Sequence, residues 1–462
     1  MLSNAWQTLT LNRFALHQWR EVSLLHRLLA FARSWRQGSW LLQWGDAIAL
    51  GVAAILFALA PYVSTALIGV LLIACSAFWL LLTVSDEAGE GLTPIHLTVI
   101  SYWGVMLLAT AVSPVRGPAI AGLIKLTLNV LLFLLLARVL RRPKLRTSLI
   151  TVYLLTALVV SVFGLRQWFF GADALATWVD PSSNLAGTTR VYSYLGNPNL
   201  LAGYLIPAVM LSGAAIFAWS RWTPKVLAAL SLLVNTACLV LTFSRGGWLG
   251  FVAGGFVLAV LLVQFWSIRF NAFWQRWAIP LILGGSAAFW VLSVAALAPL
   301  RDRVMTIFAG RGDSSNNFRI NVWLAVVDMI KARPVLGIGP GNDAFNQIYP
   351  LYQKPNYTAL SAYSVFLEIA VEAGLIGLTV FFWLLSVTLG QGWRMLQRLR
   401  EVQSVQAYWL IAALATMAGM LVHGMVDTIW YRPQVSTLWW MMLALVASYY
   451  RSKPKRLSPE EI

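Results

Sequence analysis

The feature that most limits the fold of this chain is a series of long apolar segments that recurs over most of its 462 residues. A helix needs about 20 residues to cross about 30 Å of hydrocarbon at about 1.5 Å per residue, and each segment has about that length. Because 59% of the residues are hydrophobic and only 11% are charged, the chain lacks the polar surface that a soluble protein needs.

The apolar segments also exclude a membrane barrel, because their residues do not alternate between polar and apolar as barrel strands do. We therefore predict an all-α polytopic membrane protein with about 12 transmembrane helices and one large outward loop that contains an amphipathic helix. The predicted spans are 44–61, 63–83, 95–113, 118–139, 148–165, 198–219, 224–243, 246–266, 278–298, 362–390, 407–426 and 433–450.

The net charge of +17 would favour a nucleic-acid partner in a soluble protein, but the basic residues follow the predicted topology instead. Most of the lysines and arginines lie in the segments that an even number of spans places on the same side as both termini. By the positive-inside rule this side is cytoplasmic. We expect a multi-pass protein of the cell inner (plasma) membrane with both termini in the cytoplasm, with the lipid bilayer and no nucleic acid as its partner.

The predicted organisation is one membrane domain over 44–450 between two basic ends. Arg13, Arg20 and Arg27 recur every seven residues in segment 1–43, which indicates an interfacial helix on anionic lipid, with a disordered basic tail as the alternative. Residues 451–462 are predicted to be a cytoplasmic tail. The first 40 residues lack the features of a cleaved signal peptide. The two cysteines fall inside predicted spans, and we expect no metal and no cofactor.

Two longer outward loops, at about 166–197 and at 299–361, interrupt the predicted spans. In the second loop, the run NNFRINVWLAVVDMIKARP has apolar residues at helical spacing and stops at Pro334, which predicts an amphipathic helix over the outer face. The glycines of VLGIGPGNDAF then indicate a tight irregular turn, but without the lysine of a phosphate-binding loop.

Four basic residues on the predicted outer side are candidates for binding an anion, because ionisable groups beside membrane spans are costly unless they have a role. The guanidinium group suits a phosphate, a carboxylate or bicarbonate. The alternatives are interfacial anchoring, ion pairing or a solvated charged face. By contrast, a turn and helix-capping role is the expectation for the two asparagines of the run GNPN. The anion-binding candidates are Arg190, Arg245, Arg319 and Lys331.

Two acidic pairs could support this site. Glu368 and Glu372 are four residues apart and share a helical face; we expect them to pair with arginines, with protonation as the alternative. His423 and Asp427 are also four residues apart. We expect a structural hydrogen bond between these two side chains, with an acid/base pair as the alternative.

Four sequence runs, taken together, resemble the O-antigen ligase and polymerase superfamily of bacterial membrane proteins over about residues 190–430. The resemblance implies transfer of a glycan from a polyprenyl diphosphate carrier, with Arg245 and Arg319 at diphosphate-binding positions. Tyr363 and Ser364 stand where this superfamily places a histidine, its proposed catalytic base, and an asparagine. The runs are SYLGNPNLLAGYL, LTFSRGGWLG, FRINVWLAVVDMIKARPVLGIGPGNDAF and LEIAVEAGLIGL.

Further runs, among them WQTLTLNRF, ALSAYSVFLE and DTIWYRP, resemble a cyanobacterial branch of the same superfamily over nearly the whole chain. This resemblance implies a role in accumulating inorganic carbon, with bicarbonate as a proposed transported anion. Three interpretations follow: an anion transporter, a glycan ligase or polymerase at the periplasmic face, and a non-catalytic membrane partner or regulator.

Overall fold

The computed structural model is built from helices, and its described residues contain no strand. The principal helices are α1 (Gly45–Leu59), α2 (Thr65–Val84), α3 (Pro94–Ala111), α4 (Arg116–Val139), α5 (Pro143–Phe170), α6 (Pro198–Ala218), α7 (Trp222–Leu241), α8 (Arg245–Trp266), α9 (Ala272–Ala296), α10 (Ser314–Ala332), α11 (Asn342–Ile348), α12 (Val365–Glu401), α13 (Ala407–Gly424) and α14 (Pro433–Ser448). The structure describes residues 7–11, 38–85, 92–172, 189–296, 301–302, 304–305 and 310–450.

Every predicted span coincides with a helix. Within the described residues, nine helices are long and apolar enough to cross a membrane, namely α2 to α8, α12 and α13. The other three predicted spans correspond to α1, with 15 residues, α9, with 25, and α14, with 16. The prediction of an all-α polytopic membrane protein is confirmed. The predicted N-terminal interfacial helix and the C-terminal tail lie outside the described residues, apart from 7–11 and 38–43.

The centre of the bundle is formed by α6 and α13. In an 18-residue apolar stretch of each helix, 89% and 78% of the residues are buried. Small residues bring α13 against α8: a Cβ atom on Gly250 would lie 2.5 Å from the carbonyl oxygen of Gly419. Since neither residue has a side chain, the two backbones are in direct contact. This crossing closes the space between α8 and α13 one and a half turns below the start of α8.

The longest predicted span, 362–390, differs from the observed helix. α12 continues to Glu401 and is broken at Gly374, which has φ +66° and ψ −168°. The break leaves backbone groups free to bond a neighbouring segment: Ile338 N–H donates to the carbonyl of Val371, and Leu375 N–H donates to that of Pro334. The glycine-rich run after Pro334 is therefore held against the broken helix, and its glycines 337, 339 and 341 all have positive φ, as a tight irregular turn requires.

The amphipathic helix predicted in the run 316–334 is confirmed as α10, which begins two residues earlier, at Ser314. Its buried side chains Val322, Val326 and Met329 pack with Phe345 and Tyr349 in a small core that is separate from the core of the bundle. α10 and α11 thus form a compact layer over one end of the bundle, which we call the loop end. α6, α8 and α12 begin at this end.

The opposite end holds basic residues that the positive-inside rule assigns to the cytoplasm. Arg138 and Arg142 both contact the carboxylate of Asp46, at 3.4 Å and 2.8 Å. Arg146 donates to the side chain of Gln406 at 3.0 Å. The predicted inward residues therefore meet at one end of the bundle, whereas the 299–361 loop covers the other.

Candidate functional site

Three helices begin beside one another at the loop end, and each carries a side-chain cap at its first turn. The side chain of Asn197 caps α6, that of Ser244 caps α8 and that of Asp313 caps α10. Free N–H groups and the helix dipole make a helix N-terminus favourable for an anion. Three such termini around one space contribute partial positive charge to it, although each has a side-chain cap and the cap of α10 is a carboxylate.

A cavity of about 280 Å³ lies between these three helix starts. Arg190, Arg245 and Arg319 all line it, although they come from a loop, from α8 and from α10. Its other walls include the polar side chains Asn199 and Asp427. The structure thus brings together three of the four basic residues that were candidates for anion binding in the sequence analysis.

Arg190 is fixed by two hydrogen bonds. Its Nε donates to the backbone carbonyl of Thr242 at 3.0 Å, and Nη2 donates to Oδ1 of Asn199 at 3.3 Å. Burial and the neighbouring positive charges of Arg319 and Arg245 lower the pKa of Arg190 to about 10. Burial is the largest cause of this lower pKa; the two neighbouring cations add to it, and Asp427 opposes it.

Arg245 is almost completely buried and forms an ion pair with Asp313, with 3.0 Å between Nη2 and Oδ1. The same carboxylate oxygen accepts the backbone N–H of Asn316. Asp313 therefore ties the first turn of α10 to the first turn of α8. Breaking a buried pair by removing one partner costs about 3–5 kcal/mol.

Arg319 has spare hydrogen-bonding capacity. Its Nη1 donates to Oγ of Ser315 at 2.7 Å, and its Nη2 lies 3.8 Å from Oδ2 of Asp427. Its buried Nε has no hydrogen-bond partner among the described residues. Because an unsatisfied buried donor costs about 1–3 kcal/mol, this N–H favours a bound acceptor.

The cationic groups of the site outnumber the carboxylates. Three guanidinium groups are offset by Asp427 and Asp313, which leaves one positive charge. Because these side chains are largely buried, their charge interactions are stronger than in water. No cluster of three metal-ligating side chains is present in the described parts of the chain. A site with this excess of guanidinium donors is chemically suited to an anion with several oxygen acceptors.

The expected hydrogen bond between His423 and Asp427 is wrong. Within the described residues, neither ring nitrogen of His423 has a hydrogen-bond partner. Oδ2 of Asp427 instead accepts from Nδ2 of Asn199 at 2.7 Å. The reason is that α13 ends at Gly424, so Asp427 is no longer on the helical face that residues four apart share.

The expected pairing of Glu368 and Glu372 with arginines is also wrong. The carboxylate of Glu372 accepts the backbone N–H of Gly341 at 2.6 Å, and that of Glu368 accepts the backbone N–H of Ala362 at 2.6 Å. Both glutamates therefore hold the loop end against α12, and neither lines the cavity.

Lys331, the fourth nominated cation, lies outside the cavity. Its side chain is 72% exposed and pairs with Asp328 on the same helix at 3.1 Å. It lies three turns along α10 from Arg319, which separates it from the three arginines.

Tyr363 and Ser364 immediately precede α12 and do not line the cavity. Tyr363 has φ +50°, a left-handed conformation that is rare for an aromatic residue, and its ring packs on Phe318. Burial, with the charge of Asp427 as the next contribution, raises the pKa of Tyr363 to about 12. The Tyr363 hydroxyl therefore stays protonated near neutral pH.

One residue that contributes to the site, Asn199, is expected from the sequence to have a turn and helix-capping role. Asn197 does cap α6, as expected. Asn199, however, bridges Arg190 and Asp427 through both ends of its amide. Asn199 lies one residue after Pro198, in the first turn of α6, and follows Arg190 closely in the sequence. This position is the signal that could have suggested the role.

Fold and site together define a polytopic α-helical membrane protein with an arginine-lined cavity at the loop end. Residues 227–382, about a third of the chain, match the O-antigen ligase family model Wzy_C. The matched region contains Arg245 and Arg319 but ends before Asp427. No curated protein matches the chain. The family match supports the resemblance to the O-antigen ligase superfamily.

Proposed function

We propose that this protein is a glycan ligase or polymerase that acts on a polyprenyl-diphosphate-linked saccharide at the periplasmic face of the inner membrane. The observation that carries the proposal is the convergence of Arg190, Arg245 and Arg319 with three helix N-termini on one cavity. The O-antigen ligase match over residues 227–382 supports the same class of reaction.

The chemistry of glycan transfer explains why such a site is useful. When the bond between the sugar and the diphosphate breaks, negative charge grows on the leaving phosphate. Prearranged donors aimed at a developing charge lower the barrier more than they stabilise the bound substrate. Guanidinium forks match phosphate oxygens, and hydrogen bonds to charged groups contribute about 1.5–3 kcal/mol each.

The packing below the cavity favours a site that opens to only one surface of the membrane. Gly246 lines the cavity at the start of α8. About one turn deeper, Gly250 touches the backbone of Gly419. An anion bound beside Arg245 would face closely packed backbone in the direction of the opposite membrane surface. This arrangement supports chemistry at one face of the membrane.

A reconstituted transfer assay tests the proposal. Purified protein in liposomes would be given a polyprenyl-diphosphate-linked glycan and an acceptor saccharide. We expect transfer, and we expect Arg245→Ala to reduce it at least tenfold, whereas Arg116→Ala, an exposed basic residue away from the cavity, retains it. Absence of transfer by the wild-type protein, or equal transfer by both variants, would contradict the proposal.

A second candidate function is inorganic-carbon accumulation of the type associated with IctB, the cyanobacterial branch of the superfamily that the sequence resembles. In this function the same arginines would bind bicarbonate. The observation that favours it is the presence of Tyr363 and Ser364 in place of the histidine and asparagine of the ligases. Labelled bicarbonate flux into liposomes tests it: flux that falls in Arg245→Ala supports transport, and flux no greater than in empty vesicles excludes direct transport. Anion binding with neither flux nor transfer would indicate a non-catalytic partner or regulator.

A further inference from the structure

We propose that Asp427 is the general base of this protein, and that it takes the proton of the acceptor hydroxyl in place of the histidine that Tyr363 replaces. The inference rests on the proposed transferase function and adds the residue that activates the nucleophile. Asp427 lies outside the matched region 227–382, so the family match does not nominate it.

Tyr363 lacks the two properties that a base needs. It does not line the cavity, and with a pKa of about 12 its hydroxyl remains protonated at neutral pH. An effective base has a pKa near the working pH and reaches the reacting proton directly or through one water. A transfer reaction in this cavity therefore requires another proton acceptor.

Asp427 has the required position. Among the described residues that line the cavity, it is the only one with a carboxylate. It lines the same cavity as all three arginines, so its carboxylate shares the space in which they would hold a diphosphate. Asp313, the neighbouring carboxylate, does not line the cavity and forms a closer ion pair, at 3.0 Å with Arg245.

The orientation of Asp427 is fixed by a chain of hydrogen bonds. Arg190 donates to Oδ1 of Asn199, and Nδ2 of Asn199 donates to Oδ2 of Asp427. Nη2 of Arg319 lies 3.8 Å from the same carboxylate oxygen. The same two arginines that line the diphosphate site thus also position the base, as an active site with a supported catalytic group requires.

Burial and local charges act on Asp427 in opposite directions. Burial raises its pKa above the usual aspartate value, while Arg319, Arg190, the side chain of Asn199 and the N–H of Thr428 hold this rise in check. Among the described residues, Tyr363 also interacts electrostatically with Asp427. Two further titratable groups belong to the same region: His423, which Arg319 also affects, and Glu368, whose carboxylate accepts the hydroxyl of Thr428 at 3.4 Å. A raised pKa makes the ionised carboxylate a stronger base than an exposed aspartate.

The proposed step conserves atoms and charge. The hydroxyl oxygen of the acceptor forms a bond to the anomeric carbon of the donor sugar, and its proton passes to the carboxylate of Asp427. The bond between that carbon and the phosphate oxygen breaks, and its electron pair leaves on the polyprenyl diphosphate next to the arginines. The proton on Asp427 is then released to water.

The test compares Asp427→Asn and Asp427→Glu with the wild-type protein in the reconstituted transfer assay. Farnesyl diphosphate binding reports separately on folding and on the arginines. We expect Asp427→Asn to lower kcat by about 10²–10⁴-fold and to bind farnesyl diphosphate within threefold of wild type. Asp427→Glu should recover part of the activity. Asp343→Asn, which changes an exposed carboxylate paired with Lys125, serves as the control and should leave kcat unchanged.

The pH profile separates a base from a structural carboxylate. Because a base must be deprotonated, wild-type kcat should fall as the pH drops through the pKa of Asp427, and this acidic limb should be absent in Asp427→Asn. Unchanged kcat in Asp427→Asn, or a parallel loss of kcat and farnesyl diphosphate binding, would overturn the inference. If the wild-type protein itself shows no transfer, the proposed function fails rather than the assignment of Asp427 alone.

Discussion

The three arginines of the cavity could be selected from the sequence, because charged residues next to apolar spans are few and costly. The side chains that contact these arginines could not be selected from the sequence. Asn199 and Asn197 occupy one short turn and both resemble capping residues, and only the folded chain shows that Asn199 faces Asp427. The spacing of His423 and Asp427 suggested a contact because the end of α13 between them was not visible in the sequence.

The geometry of the guanidinium group, in addition to its charge, is predicted to matter at Arg319. Arg319→Lys keeps the positive charge but removes the planar fork and the unpartnered Nε donor. We expect the affinity for farnesyl diphosphate, measured by calorimetry in detergent, to fall about tenfold, equivalent to about 1.4 kcal/mol. Lys331→Arg on the same helix, at an exposed position, should have no effect; equal affinities for wild type and Arg319→Lys would rule out a fork-specific contact.

At the level of helices, the length of each apolar run predicted where the spans lie, because the bilayer thickness sets that length. The break in α12 was not predicted. Its cause is tertiary, because the segment that begins at Pro334 supplies hydrogen-bond partners to residues 371–375. The local apolar pattern does not indicate a partner that lies 33 or more residues earlier. Likewise, Glu368 and Glu372 bind loop N–H groups that no sequence spacing reveals.

Gly374 is predicted to be essential for the break in α12. It has φ +66°, and a Cβ atom there would collide with the backbone of Val335. Gly374→Ala should therefore lower the free energy of unfolding by about 1–3 kcal/mol. Gly255→Ala in α8, where a Cβ would meet nothing within 4 Å, is the matched control. Thermal unfolding in detergent measures both variants, and similar midpoints would contradict the role of Gly374.

At the scale of the whole molecule, the two ends of the bundle differ in how their arginines are held. One end has arginines paired with Asp46 and Gln406, and the loop end has the arginine-lined cavity under its own layer of helices. The all-α polytopic fold could be predicted from composition and run length alone. The assembly of the cavity could not, because it depends on three elements that are distant in the sequence.

The predicted orientation places the loop end outside the cytoplasm. A reporter fused after Asn346, within α11, should show periplasmic activity, and one fused within the tail 451–462 should show cytoplasmic activity. Cytoplasmic activity at Asn346 would reverse the orientation and move the proposed chemistry to the other face.

The central claim, that Arg190, Arg245 and Arg319 form one anion site, is tested most directly by farnesyl diphosphate binding to the purified full-length protein in nanodiscs. The account predicts binding of farnesyl diphosphate but not of farnesol. Each of the three single alanine variants should weaken binding at least tenfold, and Lys331→Ala should stay within twofold of wild type. Equal binding of farnesyl diphosphate and farnesol, or unchanged affinity in all three arginine variants, would contradict the account.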